Sequence, residues 1–268
     1  MQPLFHVIYE DGELLAVHKP ADLVCHPTKG DEFSSLISRA RLYLNGHGSA
    51  VSEARDTRPS ATAAAKVVPY LIHRLDRETS GVVLMAKNAV AARELGRVWE
   101  TRTVCKEYVA IVHGHVTADH GLIDAPLGRD EASPVAIKDC VRPDGAAAQT
   151  EFWVEERFVR CVADRPGLTP FSLLRLRPLT GRKHQLRIHL AHIGHAIVGD
   201  KLYGGNPDFY LALVERRLTA AQLTALLLPH HALHAGRLSF EWRDRVYDLC
   251  SPPEASFAAF VAGGETAH

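Results

Sequence analysis

The stretch His73-Arg74-Leu75-Asp76-Arg77-Glu78-Thr79-Ser80-Gly81 sets one acid between two arginines, and the apolar run Val82-Val83-Leu84-Met85-Ala86 follows it. Opposite charge within a few ångströms lowers a carboxyl pKa, so Asp76 is expected to be ionised. An ionised carboxylate can act as a nucleophile or a general base, not as a general acid. The same string also suits a plain surface ion pair between Asp76 and a flanking arginine, a common and weak contact. Taken alone, it leaves both readings open. A second dense window runs from Arg175 to Leu190, where Arg175, Arg177, Arg182, Lys183 and Arg187 fall without one acid. Apolar residues interleave with these cations, which suggests a basic face on a chain that is otherwise neutral.

Metal chemistry is the rival. The chain has 16 histidines. His184, His189, His192 and His195 crowd one segment, and His230, His231 and His234 another. No His-Glu-x-x-His occurs, and spacings of five and three residues do not bring all four onto one helical face, so no metal site is expected. No Gly-x-Gly-x-x-Gly and no Gly-Lys-Ser/Thr phosphate loop is present, so no cofactor is expected either.

Composition bounds the class. With 268 residues, 46% hydrophobic and 23% charged, the chain can build a real core. Lysines plus arginines equal aspartates plus glutamates at 31 each. Five scattered cysteines with no Cys-x-x-Cys pair suggest reduced thiols in a cytosol. No apolar run approaches the roughly 20 residues that span a bilayer. No secretory leader is visible at the start, so a cytoplasmic location is expected.

The elements that must position these residues follow from pattern. Val7 to Val17 reads as a hairpin about Asp11-Gly12, and Lys19-Pro20 ends its second arm. Ser34 to Leu44 has helical spacing, with Ser34 as cap. Residues 46–66 read as a mobile surface loop. Val82 to Ala86 reads as a buried strand, and Asn88 caps a helix to about Arg102 whose inner face carries Ala91, Ala92, Leu95, Val98 and Trp99. Strands are expected at Thr103 to His113, Ala148 to Phe158, Phe171 to Arg177, Ala232 to Phe240 and Val246 to Leu249. A helix starts near Lys183, another covers Thr219 to Leu228, residues 119–146 are loop-rich, and the tail after Glu254 is a short fraying helix. Strands outnumber helices and mostly lack a helix between them. The expected class is α+β, with a mixed, mostly antiparallel sheet.

Several segments in order resemble the RluA family of RNA pseudouridine synthases. His73 to Gly81 resembles the central motif. Lys19-Pro20-Ala21-Asp22-Leu23-Val24-Cys25-His26-Pro27 resembles the early Lys-Pro-x-Gly-Leu-x-x-His-Pro loop, with Asp22 where glycine is usual. Lys106-Glu107-Tyr108 resembles the Lys-x-Tyr strand, and Thr180 to Leu190 the Thr-Gly-Arg-x-His-Gln-Leu-Arg-x-His motif. Gly194 to Asp200 follows, with Ala196 where proline is usual, and Leu233-His234-Ala235 resembles the closing segment. The likeness runs from about Val7 to Pro252.

The resemblance implies a pseudouridine synthase catalytic fold with a bent sheet and flanking helices, in one catalytic domain (core about 5–252, with 255–268 a peripheral tail). It implies a cofactor-free isomerase acting on rRNA or tRNA, in a short form without the family's N-terminal RNA-binding domain. No obligatory protein partner is implied, and a monomer is expected. Asp76 matches the catalytic aspartate, Arg187 the basic residue that pairs with it, and Tyr108 the tyrosine that stacks on the base. A cleft crossing the sheet would bring the three together. A uridine must leave its stack to be reached, so base flipping is implied. Arg74, Arg182, Lys183 and Lys19 are then candidates for contacts to RNA. A catalytically inert RNA-binding relative is the main alternative, and a metal-dependent hydrolase the third.

Overall fold

The computed structural model describes residues 5–27, 34–46, 51–52, 66–162, 166–206 and 208–263. In chain order the first elements are β1 (His6–Glu10), β2 (Leu14–Lys19), α1 (Leu36–Leu44), β3 (Val51–Ser52), β4 (Tyr70–Leu71), β5 (Ser80–Ala86) and α2 (Ala89–Glu100). Next come β6 (Cys105–His113), β7 (His120–Asp124), β8 (Leu127–Arg129), β9 (Asp139–Val141), β10 (Gln149–Cys161) and β11 (Leu168–Pro178). The chain closes with α3 (Gln185–His192), α4 (Asp208–Val214), α5 (Ala220–Leu226), β12 (Leu233–Trp242), β13 (Arg245–Cys250) and α6 (Ala255–Ala262). It packs as two compact units, one of Met1–Lys106 with Ala235–Pro253, the other of Glu107–His234 with Glu254–His268.

The first unit carries the strand order β3-β1-β2-β5-β12, with β4 beside β5 and β13 beside β12. Asp11 builds the first hairpin: its Oδ1 accepts the backbone N–H groups of Glu13 (2.8 Å) and Leu14 (2.7 Å). Every residue of β5 is buried, as expected of a continuous apolar run in a central strand. Asn88 Oδ1 accepts the N–H of Ala91 at 2.9 Å and starts α2. Ala91 and Leu95 then pack among Leu14, Leu84, Leu238 and Phe240. Full burial of Leu95 contributes on the order of 2 kcal/mol. The helix at 36–44 is capped by Ser35, whose Oγ accepts from Ser38, one residue later than the expected Ser34. Most of the loop expected at 46–66 lies outside the described residues; within it, Val51–Ser52 pairs parallel with β1.

The second unit carries β6-β11-β10-β7, all antiparallel, with β8 and β9 as a separate pair. The α+β class with mostly antiparallel strands therefore holds. Its core gathers Ile111, Phe158, Phe171, Leu174 and Leu190 with Phe257 and Phe260 of α6. The Phe171 and Phe260 rings meet edge to face at 5.1 Å. The tail helix is thus not peripheral: two of its rings are part of the core. Residues 119–146 are loop-rich as expected, with three short strands, β7, β8 and β9, set among the turns. Strands of three to five residues are too short to show alternation in sequence. Among the described residues no helix is long and apolar enough to cross a membrane.

Candidate active site

The loop carrying Asp76 connects β4 to β5 in the first unit, and it is held from both sides by the last residue of β2 and the segment that follows it. Cys25 Sγ takes both backbone groups of Leu75: the thiol donates to its carbonyl at 3.5 Å and accepts its N–H at 3.4 Å. Lys19 Nζ donates to the carbonyl of Arg77 at 2.9 Å, and to those of Pro20 and Leu23 at 2.8 Å each. The residues before and after Asp76 are therefore fixed through their backbone. Thr79 N–H closes the turn onto the Asp76 carbonyl at 3.2 Å. Arg77 turns outward to an ion pair with Asp22 at 2.7 Å, and Asp22 itself has φ +65°, which accounts for the glycine usual there. Gly81 follows with φ +120°, where a Cβ would collide with the backbone of Ala235 in β12. Only glycine lets the two chains approach so closely.

His73 opens this loop from below. Its Nε2 accepts the N–H of Leu84 at 3.2 Å, so the ring is neutral and carries its proton on Nδ1. The ring stacks on Trp99 at 5.8 Å. Burial, and secondarily the charge of Lys106, pull its pKa down to about 3. Unfolding restores a value near 6.5, so the unfolded chain binds a proton that the folded one refuses. The stability that depends on neutral His73 is whole above about pH 6.5 and is lost as pH falls toward 3, at up to about 1.4 kcal/mol per pH unit. Urea unfolding at pH 7 and pH 5 should show this slope, and His73→Gln should flatten it. An unchanged slope in the variant would refute the assignment.

The second unit supplies an arginine anchor. Arg187, on α3, is buried, and its Nε and Nη2 donate to Asp200 Oδ2 and Oδ1 at 2.7 and 2.9 Å. The guanidinium also lies over the Tyr203 ring, 5.0 Å from its centroid. Arg187 and its own hydrogen bonds hold the Asp200 carboxyl well below the usual range against the opposing cost of burial. The N-terminal turn of α3 is pinned to β10 by a proton chain. Gln185 Nε2 donates to Thr150 Oγ1 at 3.0 Å, and Thr150 Oγ1 meets His189 Nδ1 at 2.9 Å. His189 Nε2 meets the Ala125 carbonyl at 3.0 Å, an oxygen that can only accept, so Nε2 carries the proton and Nδ1 accepts from Thr150. Tyr108 sits on β6 opposite Leu176 of β11 and packs against the core of this unit.

Comparison with known proteins decides what these parts belong to. The family described as RNA pseudouridylate synthase matches residues 13–192. A ribosomal large subunit pseudouridine synthase D of Haemophilus ducreyi is 33% identical over 263 residues, which cover 97% of this chain and 71% of that relative. The chain belongs to the RNA pseudouridylate synthase family. An uncharacterized RNA pseudouridine synthase of Aquifex aeolicus is 36% identical over 74% of this chain and 56% of its own length. Among solved structures, human RNA pseudouridylate synthase domain containing 4 superposes with a TM-score of 0.68 at 22% identity, over 96% of this chain and 92% of that one. That likeness shows the fold. The chain spans little more than half the length of several curated relatives, 56% in the Aquifex protein and 53% in the Pasteurella multocida synthase D.

Within this family frame the expected RNA contacts separate. Arg74 is exposed and makes no ion pair among the described residues. Arg182 is exposed too, with Nε tied to the Ala147 carbonyl at 3.1 Å. Lys183 pairs with Asp139 at 2.8 Å. Lys19 is 0% exposed and donates to the carbonyls of Pro20, Leu23 and Arg77, so a phosphate contact does not fit its position; it is an internal clamp. The basic face expected at 175–190 is corrected as well. Arg175 pairs with Glu155, Arg177 with Glu151, Lys183 with Asp139 and Arg187 with Asp200, so only Arg182 of the five lacks an acid among the described residues. Cys25 and Asp200 are not among the candidate site residues that the sequence offers. An acid inside the Gly199-to-Gly204 turn, close behind the arginine helix, was the available signal for the second.

Proposed function

We propose that this chain converts uridine in RNA to pseudouridine with Asp76 as the catalytic carboxylate. The observation that carries the reading is the double clamp on Leu75 and Arg77, the two residues that flank Asp76 in the motif. A group that must meet a ribose carbon needs such pre-set geometry. In the reaction the N-glycosidic bond breaks, the uracil turns, and its C5 joins the ribose as the C5 proton leaves. Asp76 serves as nucleophile at the ribose or as the base that opens a glycal route. Arg187 is the cation that serves Asp76, and Tyr108 offers a flat face to the turning base. The chain is read as one catalytic domain that works without a cofactor.

Relatives named for the large ribosomal subunit, such as that of Haemophilus ducreyi, favour rRNA as substrate, with tRNA as the second choice. Arg74 is the cation best placed to meet RNA beside Asp76, since it is exposed and leaves the same turn. Arg182 and Lys183 would add phosphate contacts, which position RNA without reading its sequence. A cytoplasmic monomer fits this role.

Mapping pseudouridines in total RNA from a strain lacking this protein tests the reading. At least one site should be missing, and the wild-type chain should restore it in the presence of a chelator. If no site is lost and regained, the isomerase reading fails and the inert RNA-binding relative takes its place. Loss of activity with the chelator would favour the metal hydrolase.

A further inference from the structure

We propose that Asp200 is the positioning residue for Arg187, fixing the angle at which its remaining donors are presented; this rests on the reading of Arg187 as the cation that serves Asp76. Asp200 is itself fixed. Its Oδ1 accepts the backbone N–H groups of Leu202 and Tyr203 at 2.9 Å each, beside the bond from Arg187 Nη2. Its own N–H donates to the Ile197 carbonyl, and its carbonyl accepts from Gly204, so the turn is closed on both sides of the carboxylate. Gly199, just before it, has φ +80° and would collide with the His230 carbonyl if it carried a Cβ.

The guanidinium is thus held along one edge by a carboxylate and across one face by a ring. Tyr203, the ring, is fixed in turn: its hydroxyl accepts the Asp139 N–H at 3.3 Å and reaches His184 Nδ1 at 2.9 Å. The fork uses Nε and one N–H of Nη2. With Nε and Nη2 fixed, the plane of the whole guanidinium, Nη1 included, is set by Asp200. A planar fork held in this way leaves no rotamer to search, whereas an ammonium group has no plane to hold. Asp200 also shares the charge of Arg187, so Arg187 acts as an oriented donor more than as a bare counter-ion.

The test uses the full chain and a large-subunit rRNA transcript tritiated at uridine C5. Single-turnover tritium release is read beside RNA retention on filters and the urea midpoint. Arg187→Met and Asp200→Asn should each slow release about a hundredfold while RNA retention stays within about threefold. The double variant should be no slower than Arg187→Met, because the two residues act as one unit. Arg187→Lys, which keeps the charge and loses the fork, should be as slow as Asp200→Asn.

An equal further loss from Asp200→Asn in the Arg187→Met background would mark a merely structural acid and overturn the proposal. Wild-type rate in Asp200→Asn or Arg187→Lys, with Arg187→Met slow, would overturn it and leave the reading of Arg187 standing. Wild-type rate in Arg187→Met would remove that reading and the proposal together. If Asp200→Asn does not fold, Arg187→Lys decides alone.

Discussion

Asp76→Asn should lose at least about a thousandfold in uridine isomerisation while still binding RNA. Asparagine copies the shape of aspartate, but its amide is neither a nucleophile nor a base at neutral pH. The substitution should leave the loop in place, because the clamps from Cys25 and Lys19 grip the backbone of Leu75 and Arg77 rather than the Asp76 side chain. The loss should therefore fall on the chemical step, and RNA retention on filters should stay close to wild type. In a strain lacking the protein, the variant should leave empty the pseudouridine sites that the wild-type chain fills. Tritium release from the same RNA in vitro gives the rate directly. Full restoration by Asp76→Asn would move the chemistry to another residue. Failure to bind RNA would instead mark Asp76 as part of the binding surface.

What the sequence made legible was local. Asp11 and Gly12 announce their turn because a short acid can accept two successive N–H groups. Val82 to Ala86 announces a buried strand because nothing in it could face water. Asn88 announces α2 because its carboxamide satisfies an orphan N–H. What stayed hidden was partnership across distance. Five cations in sixteen residues look like a basic face until Glu151, Glu155, Asp139 and Asp200 arrive from other elements. Those pairings depend on strand register: Arg177 stands opposite Glu151 only because β10 and β11 pair as they do, and a slip of one residue would separate them. The helix α4 was missed for a different reason. It is seven residues long, too short to show a periodic face, although Asn206, whose Oδ1 accepts the Asp208 N–H at 2.9 Å, was a cap in plain view.

The candidate site shows the same division. Asp76 could be singled out from its motif, but its neighbours Arg74 and Arg77, equivalent on paper, take different roles. Arg77 is drawn to Asp22, an acid that occupies a position of positive φ and so points its carboxylate back toward the loop. Arg74 keeps an exposed guanidinium. No periodicity or composition separates the two, because the difference lies in a contact spanning 55 residues of sequence. Cys25 was likewise read only as a reduced thiol. Its use as both donor and acceptor for one backbone unit emerges only once the early loop is laid against Leu75.

Lys19→Met should cost about 3–5 kcal/mol of stability, the largest loss expected from a residue outside the hydrophobic clusters. A methionine fills nearly the same volume but donates nothing. The carbonyls of Pro20, Leu23 and Arg77 would lose their common donor: the Leu23 bond is fully buried, the other two are partly buried, and Lys19 itself is 0% exposed. Each unsatisfied buried acceptor costs about 1–3 kcal/mol, less whatever the loop recovers by relaxing toward solvent. Relaxation has its own consequence. The Arg77 carbonyl is one of the two points that fix Asp76, so the fraction that stays folded should also isomerise uridine more slowly, with RNA retention little changed. Urea unfolding measures the first effect, and single-turnover tritium release below the unfolding range measures the second. Stability within about 0.5 kcal/mol of wild type would refute the clamp. If such a variant also showed a salt dependence of RNA binding lower by about one unit, Lys19 would be a phosphate contact after all, because that change is the signature of one lost cation at the RNA backbone.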